Sequence, residues 1–455
     1  MSALSNIWKI KELRSRILFT LGLILICRVI AIVPTPGVDA AALTAIIRQA
    51  SETANGGVMG TFDLFTGGAL SRCAVGTLSI WPYISASIII QLMTAIIPSL
   101  ERMAREGETG RQKLNQTTRY LALAICVAQA FGIAKLLENP AQMGINVPIV
   151  ANPGLSFQIL TVLTMTAATM LTMWLGEQMT ERGVGNGTSM IIMVNITARL
   201  PHAIYSAAIK FLPAGGQPPQ FNIFHLVFLL SLAFAVFAGT IALTQGIRRI
   251  PIHTARRSAG TRAAGGQNTY MPLRVNYAGV MPIIFAGPIL QALGWLFGAI
   301  NQDIVWLHWL HRFGLMLKNS TGPVFLICYA VLILFFSFFW VATQFHAVRI
   351  ADDLKSSNGY IPGIRPGLPT AEFLDLSMTR VTLIGACGLI VIAVLPTILS
   401  SEVNIPPMMA NFFGGTSLLI IVGVALDTLR QVESYLVMRN YEGFLKHGRL
   451  RGRNR

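Results

Sequence analysis

The amino-acid sequence predicts an all-α protein that crosses a membrane many times. Of its 455 residues, 53% are hydrophobic and only 12% are charged, whereas soluble domains carry about a quarter charged residues. A bilayer core needs about 20 apolar residues per helix. Suitable runs lie near residues 17–33, 75–97, 120–137, 156–175, 186–208, 224–245, 276–298, 322–345, 381–399 and 415–437. We therefore expect ten transmembrane helices.

Positive charge is predicted to lie on one face of the membrane. Most of the 35 Lys and Arg residues occur at the N-terminus, in the loops after the even-numbered runs, and around the last helix and tail. Because cytoplasmic loops are enriched in Lys and Arg, we expect both termini to be cytoplasmic. The first run is followed by Pro34-Thr35-Pro36-Gly37 rather than by a small-residue cleavage site, so we expect it to be a retained helix.

One of these basic loops is rich in arginine and contains no acidic residue. It spans residues 248–274, and its six arginines are Arg248, Arg249, Arg256, Arg257, Arg262 and Arg274. Membrane topology alone accounts for many basic loops. The length of this loop and its lack of Asp and Glu favour a docking surface for an acidic partner.

The sequence contains no catalytic or metal-binding motif. Walker-A, HExxH and GxSxG patterns are missing, and the glycine-rich stretch 183–187 begins a predicted membrane helix without the strand that a dinucleotide site requires. The five cysteines have no metal-like spacing. We therefore expect no enzymatic activity, no cofactor and no metal.

The predicted spans lack ionisable residues near the membrane midplane. Arg28, Lys135 and Arg199 lie toward the outer ends of their spans, and Asp427 and Arg430 toward the inner end of the last one. Ion-coupled transporters place such groups centrally to bind or relay the driving ion, so the sequence favours a passive conduit. A secondary transporter of small solutes is the alternative, because sodium bound by backbone carbonyls would escape this criterion.

A short apolar segment lies between the first two runs. Residues 59–72 read MGTFDLFTGGALSR, which is too short to cross the bilayer. We expect this segment to lie at the outer surface or to re-enter the membrane while shielded by protein. A packed loop and a mobile loop are both compatible with the sequence.

Six longer motifs follow one another along nearly the whole chain, with the predicted spans between them. They are FTGGALSR at 65–72, PYISASIIIQL at 82–92, GETGR at 107–111, WLGEQMTERGVGNG at 174–187, IPGIRPG at 361–367 and FGGTSLLIIVGV at 413–424. Together these motifs resemble the SecY family, the pore subunit of the Sec protein-translocation channel.

The resemblance implies two inverted, pseudo-symmetric halves around a central pore. Residues 1–210 would hold helices one to five, residues 211–438 helices six to ten, and residues 439–455 a basic cytoplasmic tail. Such a channel conducts unfolded preproteins across the membrane. It also releases transmembrane segments into lipid through a lateral gate.

The resemblance also assigns roles to individual residues. A pore ring falls on Ile80, Ile84, Thr188, Ile192, Ile284 and Ile420, where Thr188 departs from the usual aliphatic residue. A plug falls on about residues 60–72 and includes Phe65, Gly67, Gly68 and Arg72. Polar residues of the lateral gate fall on Gln91, Asn186 and Asn276. Without the resemblance, the isoleucines fit ordinary helix packing or a lipid-facing surface, and the polar residues fit solvated helix ends.

Partners and location follow from the same resemblance. The loops 248–274 and 346–380, the second containing Arg365, would dock a ribosome through its RNA or a SecA-like motor ATPase. The family often has two adjacent basic residues after the position of Gly260, but here Thr261 precedes Arg262. SecE-like and SecG-like small membrane subunits, signal sequences, nascent preproteins and membrane lipid complete the expected partners. The expected location is the plasma (inner) membrane.

Overall fold

The protein forms two compact units. The first combines Met1–Tyr205 with Val424–Arg455, and the second comprises Ser206–Gly423. A computed structural model describes residues 10–38, 63, 66–139, 150, 152–211, 223–254, 269–298, 308–319, 322–402 and 416–447. The last helix contributes to both units. The inverted, pseudo-symmetric relation of two halves divided at residue 210 stays a prediction.

Helices account for most of the described residues. The first unit contains α1 Lys11–Ile30, α2 Trp81–Ile96, α3 Pro98–Arg105, α4 Glu108–Glu138, α5 Leu155–Arg182 and most of α6 Gly187–Phe211. The second contains α7 Ile223–Gln245, α8 Met281–Gly298, α9 His308–Lys318, α10 Pro323–Gln344, α11 Ala347–Ser356 and α12 Leu368–Glu402. The last helix, α13, is Thr416–His447. Each predicted span overlaps one of these helices.

Six of the described helices, α4, α5, α7, α8, α10 and α12, are long and apolar enough to cross a membrane. A seventh span results if α2 and α3, bent by 105° at their junction, count as one. Pro98 begins α3, and the preceding Ile97 is extended, with φ −97° and ψ 114°, as expected for a residue before proline. The ten predicted spans are consistent with these helices, because α1, α6 and α13 also coincide with apolar runs but carry more polar residues.

Large apolar side chains are exposed on several helices. Phe224 is 80% exposed, and Phe234 and Ile96 are each 74% exposed. Extended apolar surfaces of this kind are uncommon in proteins surrounded by water. They are the surfaces that lipid would cover.

Apolar clusters and one surface ion pair join the helices of the first unit. Cys27 of α1 belongs to a cluster with Ile80 and with Ile191 of α6. Arg119 of α4 makes a bidentate contact with Glu177 of α5, with Nε to Oε1 at 2.9 Å and Nη2 to Oε2 at 2.7 Å. The first contact joins α1 to α6, and the second joins α4 to α5.

The second unit contains an antiparallel sheet after α7. Strand β1 (Ile247–Thr254) pairs with β2 (Thr269–Arg274) from Ile247 opposite Arg274 to Ile252 opposite Thr269. The last two residues of β1 pair with β3 (Gly359–Tyr360). The strand order is β2-β1-β3.

The sheet shares a core with the residues that follow α10. Ile250 of β1 and Leu273 of β2 are buried with Ile361 and with Leu374 of α12. We refer to residues 247–254, 269–274 and 346–380 as the sheet module. The sequence treats the two basic loops as separate, whereas the structure joins them in this module.

Candidate functional site

The described residues of the predicted plug, which we call the plug segment, are packed into the interior of the first unit. Of residues 60–72, the structure describes Asp63 and residues 66–72. Thr66 and Ala69 are each 0% exposed, and Thr66 Oγ1 donates to the carbonyl of Asp63 at 3.2 Å. The described part of this segment is therefore packed inside protein, with Asp63 and Thr66 helical and residues 67–72 in turns.

An ion pair fixes the plug segment to α6. Arg199 pairs through Nη2 with Oδ2 of Asp63, and the same nitrogen donates to Ser71 Oγ at 2.8 Å. The other carboxylate oxygen of Asp63 accepts from the backbone N–H of Ser71 at 2.8 Å. The side chains of Arg199 and Asp63 are only 15% and 11% exposed. Each charge is therefore largely removed from water and depends on the other for compensation.

A second arginine reaches the plug segment from α1. Arg28 Nη2 donates to the carbonyl of Gly67 at 3.4 Å, and Nη1 donates to Asn195 Oδ1 at 3.3 Å. Asn195 in turn donates through Nδ2 to Ser79 Oγ at 3.0 Å. One polar network thus links α1, the plug segment, the turn before α2, and α6.

Two adjacent glycines allow the arginines to approach the plug backbone. Gly67 and Gly68 have φ angles of +68° and +87°, a left-handed conformation that glycine adopts without a steric penalty. A Cβ on Gly67 would lie 2.5 Å from Arg28 Nη1, and one on Gly68 would lie 2.9 Å from Arg199 Cζ. A side chain at either position would displace a guanidinium group.

Arg28 and Arg199 are functional candidates that the sequence alone left without a role. The sequence places both arginines toward the outer ends of their spans but does not indicate which residue compensates either charge. The available signal was an arginine inside each of two apolar spans, where a charge requires compensation. Asp63 is the only acidic residue among residues 59–72, so it was the natural partner to consider.

A buried thiol follows the plug segment. Cys73 is 1% exposed, and its backbone N–H donates to the carbonyl of Leu70 at 3.0 Å. Burial raises the pKa of the Cys73 thiol to about 12, because a thiolate is poorly solvated in an apolar interior. The thiol is therefore unreactive while the segment around it stays packed.

Four of the six predicted ring residues lie in the first unit. Ile80, Ile84 and Ile192 belong to one apolar cluster. Thr188 and Ile80 converge on Gly176 of α5, where an added Cβ would lie 3.8 Å from Thr188 Cγ2 and 3.4 Å from Ile80 Cδ1. Ile80 is only 2% exposed, so these contacts fit ordinary helix packing, and the ring stays a prediction.

The hydroxyl of Thr188 is engaged at the start of α6. It donates to Asn186 Oδ1 at 2.7 Å. The same oxygen accepts from the backbone N–H groups of Thr188 at 3.1 Å and Ser189 at 3.4 Å. Asn186 therefore acts as the N-cap of α6, and its assignment to the lateral gate stays a prediction.

The remaining two ring residues lie in the second unit. Ile284 of α8 is 4% exposed and Ile420 of α13 is 1% exposed. Both are thus inside protein rather than on a lipid-facing surface. Their participation in a ring stays a prediction.

The other two gate candidates make hydrogen bonds within their own segments. Gln91 Nε2 donates to Ser87 Oγ of the same helix at 3.3 Å. Asn276 Nδ2 donates to the carbonyl of Gly279 at 3.0 Å. These bonds neither test nor exclude a role in the lateral gate, which stays a prediction.

The sheet module carries exposed arginines from both basic loops. Arg248 and Arg249 lie on β1, Arg274 ends β2, and Arg365 lies in the turn after β3; all four are exposed. The backbone carbonyl of Arg365 accepts from Thr370 Oγ1 at 2.8 Å. Its side chain is therefore not needed to form this turn and is available to a partner.

Some of the predicted site residues lie outside the described part of the chain. These are Phe65 of the plug, Arg256, Arg257 and Arg262 of the first basic loop, and residues 448–455 of the tail. Arg72, the last plug residue, is described and exposed. Within the described ranges, no group of three or more His, Cys, Asp or Glu residues could hold a metal ion.

Comparison with known proteins identifies the family. The sequence model of the SecY family matches residues 74–429. A protein translocase subunit SecY from Thermotoga maritima is 41% identical over 456 residues, covering 99% of each chain. The chain belongs to the SecY family. This SecY-family chain is accordingly a multi-pass membrane subunit of a protein translocase.

Solved structures show the same fold at much lower sequence identity. A SecY protein whose plug domain is described as stabilising the closed state of the translocation channel and maintaining a membrane seal has a TM-score of 0.56. It is 17% identical, over 93% of this chain and 92% of its own. Sec61 in the canine ribosome-channel complex from the endoplasmic reticulum also has a TM-score of 0.56, at 13% identity and the same coverage. These likenesses support the protein-conducting channel fold.

Proposed function

We propose that this chain forms the pore through which unfolded preproteins cross the plasma (inner) membrane. The observation that carries the proposal is the plug segment, a short stretch buried in the first unit between two membrane helices. An apolar segment that enters the protein without crossing the membrane is suited to close the resting channel. It would move out of the channel when a preprotein passes. Transmembrane segments of the substrate would instead leave sideways into lipid.

The pore seal is proposed to be the ring of five isoleucines and Thr188. A narrow apolar constriction excludes ions because water leaves it. Aliphatic side chains also adapt to the varied side chains of a passing polypeptide. The clustering of Ile80, Ile84 and Ile192 supports this role for the part of the ring in the first unit.

The lateral gate is proposed to use Gln91, Asn186 and Asn276. Hydrogen bonds between membrane helices contribute about 0.6 to 2 kcal/mol each, which is enough to hold a gate without preventing its opening. A signal sequence would replace such contacts with its own apolar surface.

The sheet module is proposed as the cytoplasmic docking surface. Its exposed arginines suit a ribosome, whose RNA attracts basic side chains, or the acidic surface of a SecA-like motor ATPase. A ribosome complex is described for canine Sec61, which supports the first partner. Both termini would then be cytoplasmic. SecE-like and SecG-like subunits would accompany the chain in the membrane.

Preprotein transport by purified components tests the proposal. The chain would be reconstituted in liposomes with co-purified small subunits, a motor ATPase and ATP, and a radiolabelled preprotein would be added outside. We expect a protease-protected preprotein that requires both the chain and ATP. Substrate-coupled proton or sodium flux through the chain alone, without preprotein protection, would instead indicate a solute transporter. That alternative is not favoured by the comparisons.

A further inference from the structure

We propose that the ion pair between Asp63 and Arg199 is a latch that holds the plug in place, so that these two residues set how readily the channel opens. The inference rests on the proposed plug function and extends it by naming the residues that carry the resting state. It concerns a contact inside the first unit only.

The geometry ties the movable segment to a fixed helix through charge. Arg199 belongs to α6, whereas Asp63 and Ser71 belong to the plug segment. One nitrogen of Arg199 serves both plug residues, and both carboxylate oxygens of Asp63 are used. Plug departure would therefore separate two nearly buried charges in a single step.

Asp63 is the more important residue of the ion pair, because it is the one negative charge of the plug segment and lies near several arginines. The plug and its surroundings carry Arg28, Arg72 and Arg199, and Asp63 is the only acidic residue of the segment. Neutralising Asp63 leaves Arg199 without its anion in a site that is only 15% exposed. The contact of Arg28 with the plug is a longer bond, 3.4 Å, to the neutral carbonyl of Gly67. Arg28 therefore binds the plug segment more weakly than Arg199 does.

A latch of this kind acts on the equilibrium between resting and open channels. An entering signal sequence binds the open channel and shifts the population toward it, by no more than its preference for that state. A strong latch thus demands a strongly binding signal sequence. A weakened latch leaves more channels open before any substrate arrives.

Resting ion flux measures this equilibrium. The variants Asp63→Asn, Arg199→Gln and their combination would be made in the full chain, co-purified with its small subunits and reconstituted at matched channel number. We expect each single change to raise resting flux by about tenfold. We expect the double variant to add little further, because the residues act as a pair. Arg199→Lys, which keeps the charge, should stay closer to the unmodified channel than Arg199→Gln.

A matched control and a comparator separate the latch from other effects. Glu177→Gln removes the carboxylate of an arginine pair that does not contact the plug, and we expect it to leave resting flux unchanged. Deletion of residues 61–71 removes the plug itself. If the deletion raises resting flux and Asp63→Asn does not, the proposed latch is wrong but the proposed plug function is retained. If deletion leaves flux unchanged, both are wrong.

Labelling of Cys73 gives a second, independent readout. Its thiol directly follows the plug and is 1% exposed. A membrane-impermeant maleimide would be added from the outer side and the labelled cysteine identified by mass spectrometry. We expect labelling of Cys73 to be faster in Asp63→Asn than in the unmodified chain or in Glu177→Gln. Equal labelling rates in all three, with equal flux, would overturn the proposal.

Discussion

Thr188 is the member of the proposed pore ring that can still bind water. Its hydroxyl donates to Asn186 at 2.7 Å, but a hydroxyl oxygen retains acceptor capacity. The ion conductance of a dewetted constriction is sensitive to a single polar group that can hold a water molecule. We expect Thr188→Ile to lower resting ion flux by about threefold to tenfold. The difference should be clearest in plug-deleted channels, measured as single-channel or bulk flux with matched channel numbers.

The control at this position is Thr188→Ala. It removes the hydroxyl but also leaves a gap next to Ile80, so we expect no comparable tightening. Loss of the bond to Asn186 is common to both variants and therefore does not account for a difference between them. Equal flux through plug-deleted channels with and without Thr188→Ile would show that this residue is not part of the seal.

At the scale of the element, the turn that holds Arg365 is predicted to be a contact point for the motor. A solvated arginine without a partner tolerates replacement, at a cost usually within about 0.5 kcal/mol. An arginine that binds an acidic surface does not, because glutamate adds repulsion. We expect Arg365→Glu to abolish motor-driven preprotein translocation without lowering channel abundance, as measured by protease protection and immunoblotting.

The structure makes this test interpretable. The carbonyl of Arg365, not its side chain, accepts the bond from Thr370, so the turn should survive either substitution. Arg365→Lys keeps the positive charge, and we expect it to retain most of the translocation activity. Normal translocation by Arg365→Glu would leave Arg365 as an ordinary solvated charge.

At the scale of the whole molecule, the sequence predicted what depends on local composition. Each apolar run coincides with a helix, because crossing a bilayer is set by a continuous length of apolar residues. Contacts between distant residues were not predictable in this way. Arg199 meets Ser71 across 128 residues of sequence, and no periodic pattern links them.

The sheet module shows the same limit. The strand that joins the two basic loops, Gly359–Tyr360, has only two residues. So short a strand carries no alternation of apolar and polar residues from which to recognise it. The family resemblance supplied the expected docking roles of both loops, but the sequence did not predict that they share a sheet.

The ion barrier of the whole channel is proposed to have two parts, the ring and the plug. Deleting residues 61–71 removes Asp63 and Ser71 but leaves the bond of Arg28 to Asn195, so the helices of the first unit should keep their arrangement. We expect the chain to insert normally and its resting ion conductance to rise by about tenfold or more, because the ring alone must then exclude ions. Bulk ion flux from liposomes measures the conductance, and retained preprotein translocation is the control for folding. An unchanged resting conductance would show that the segment is not a barrier.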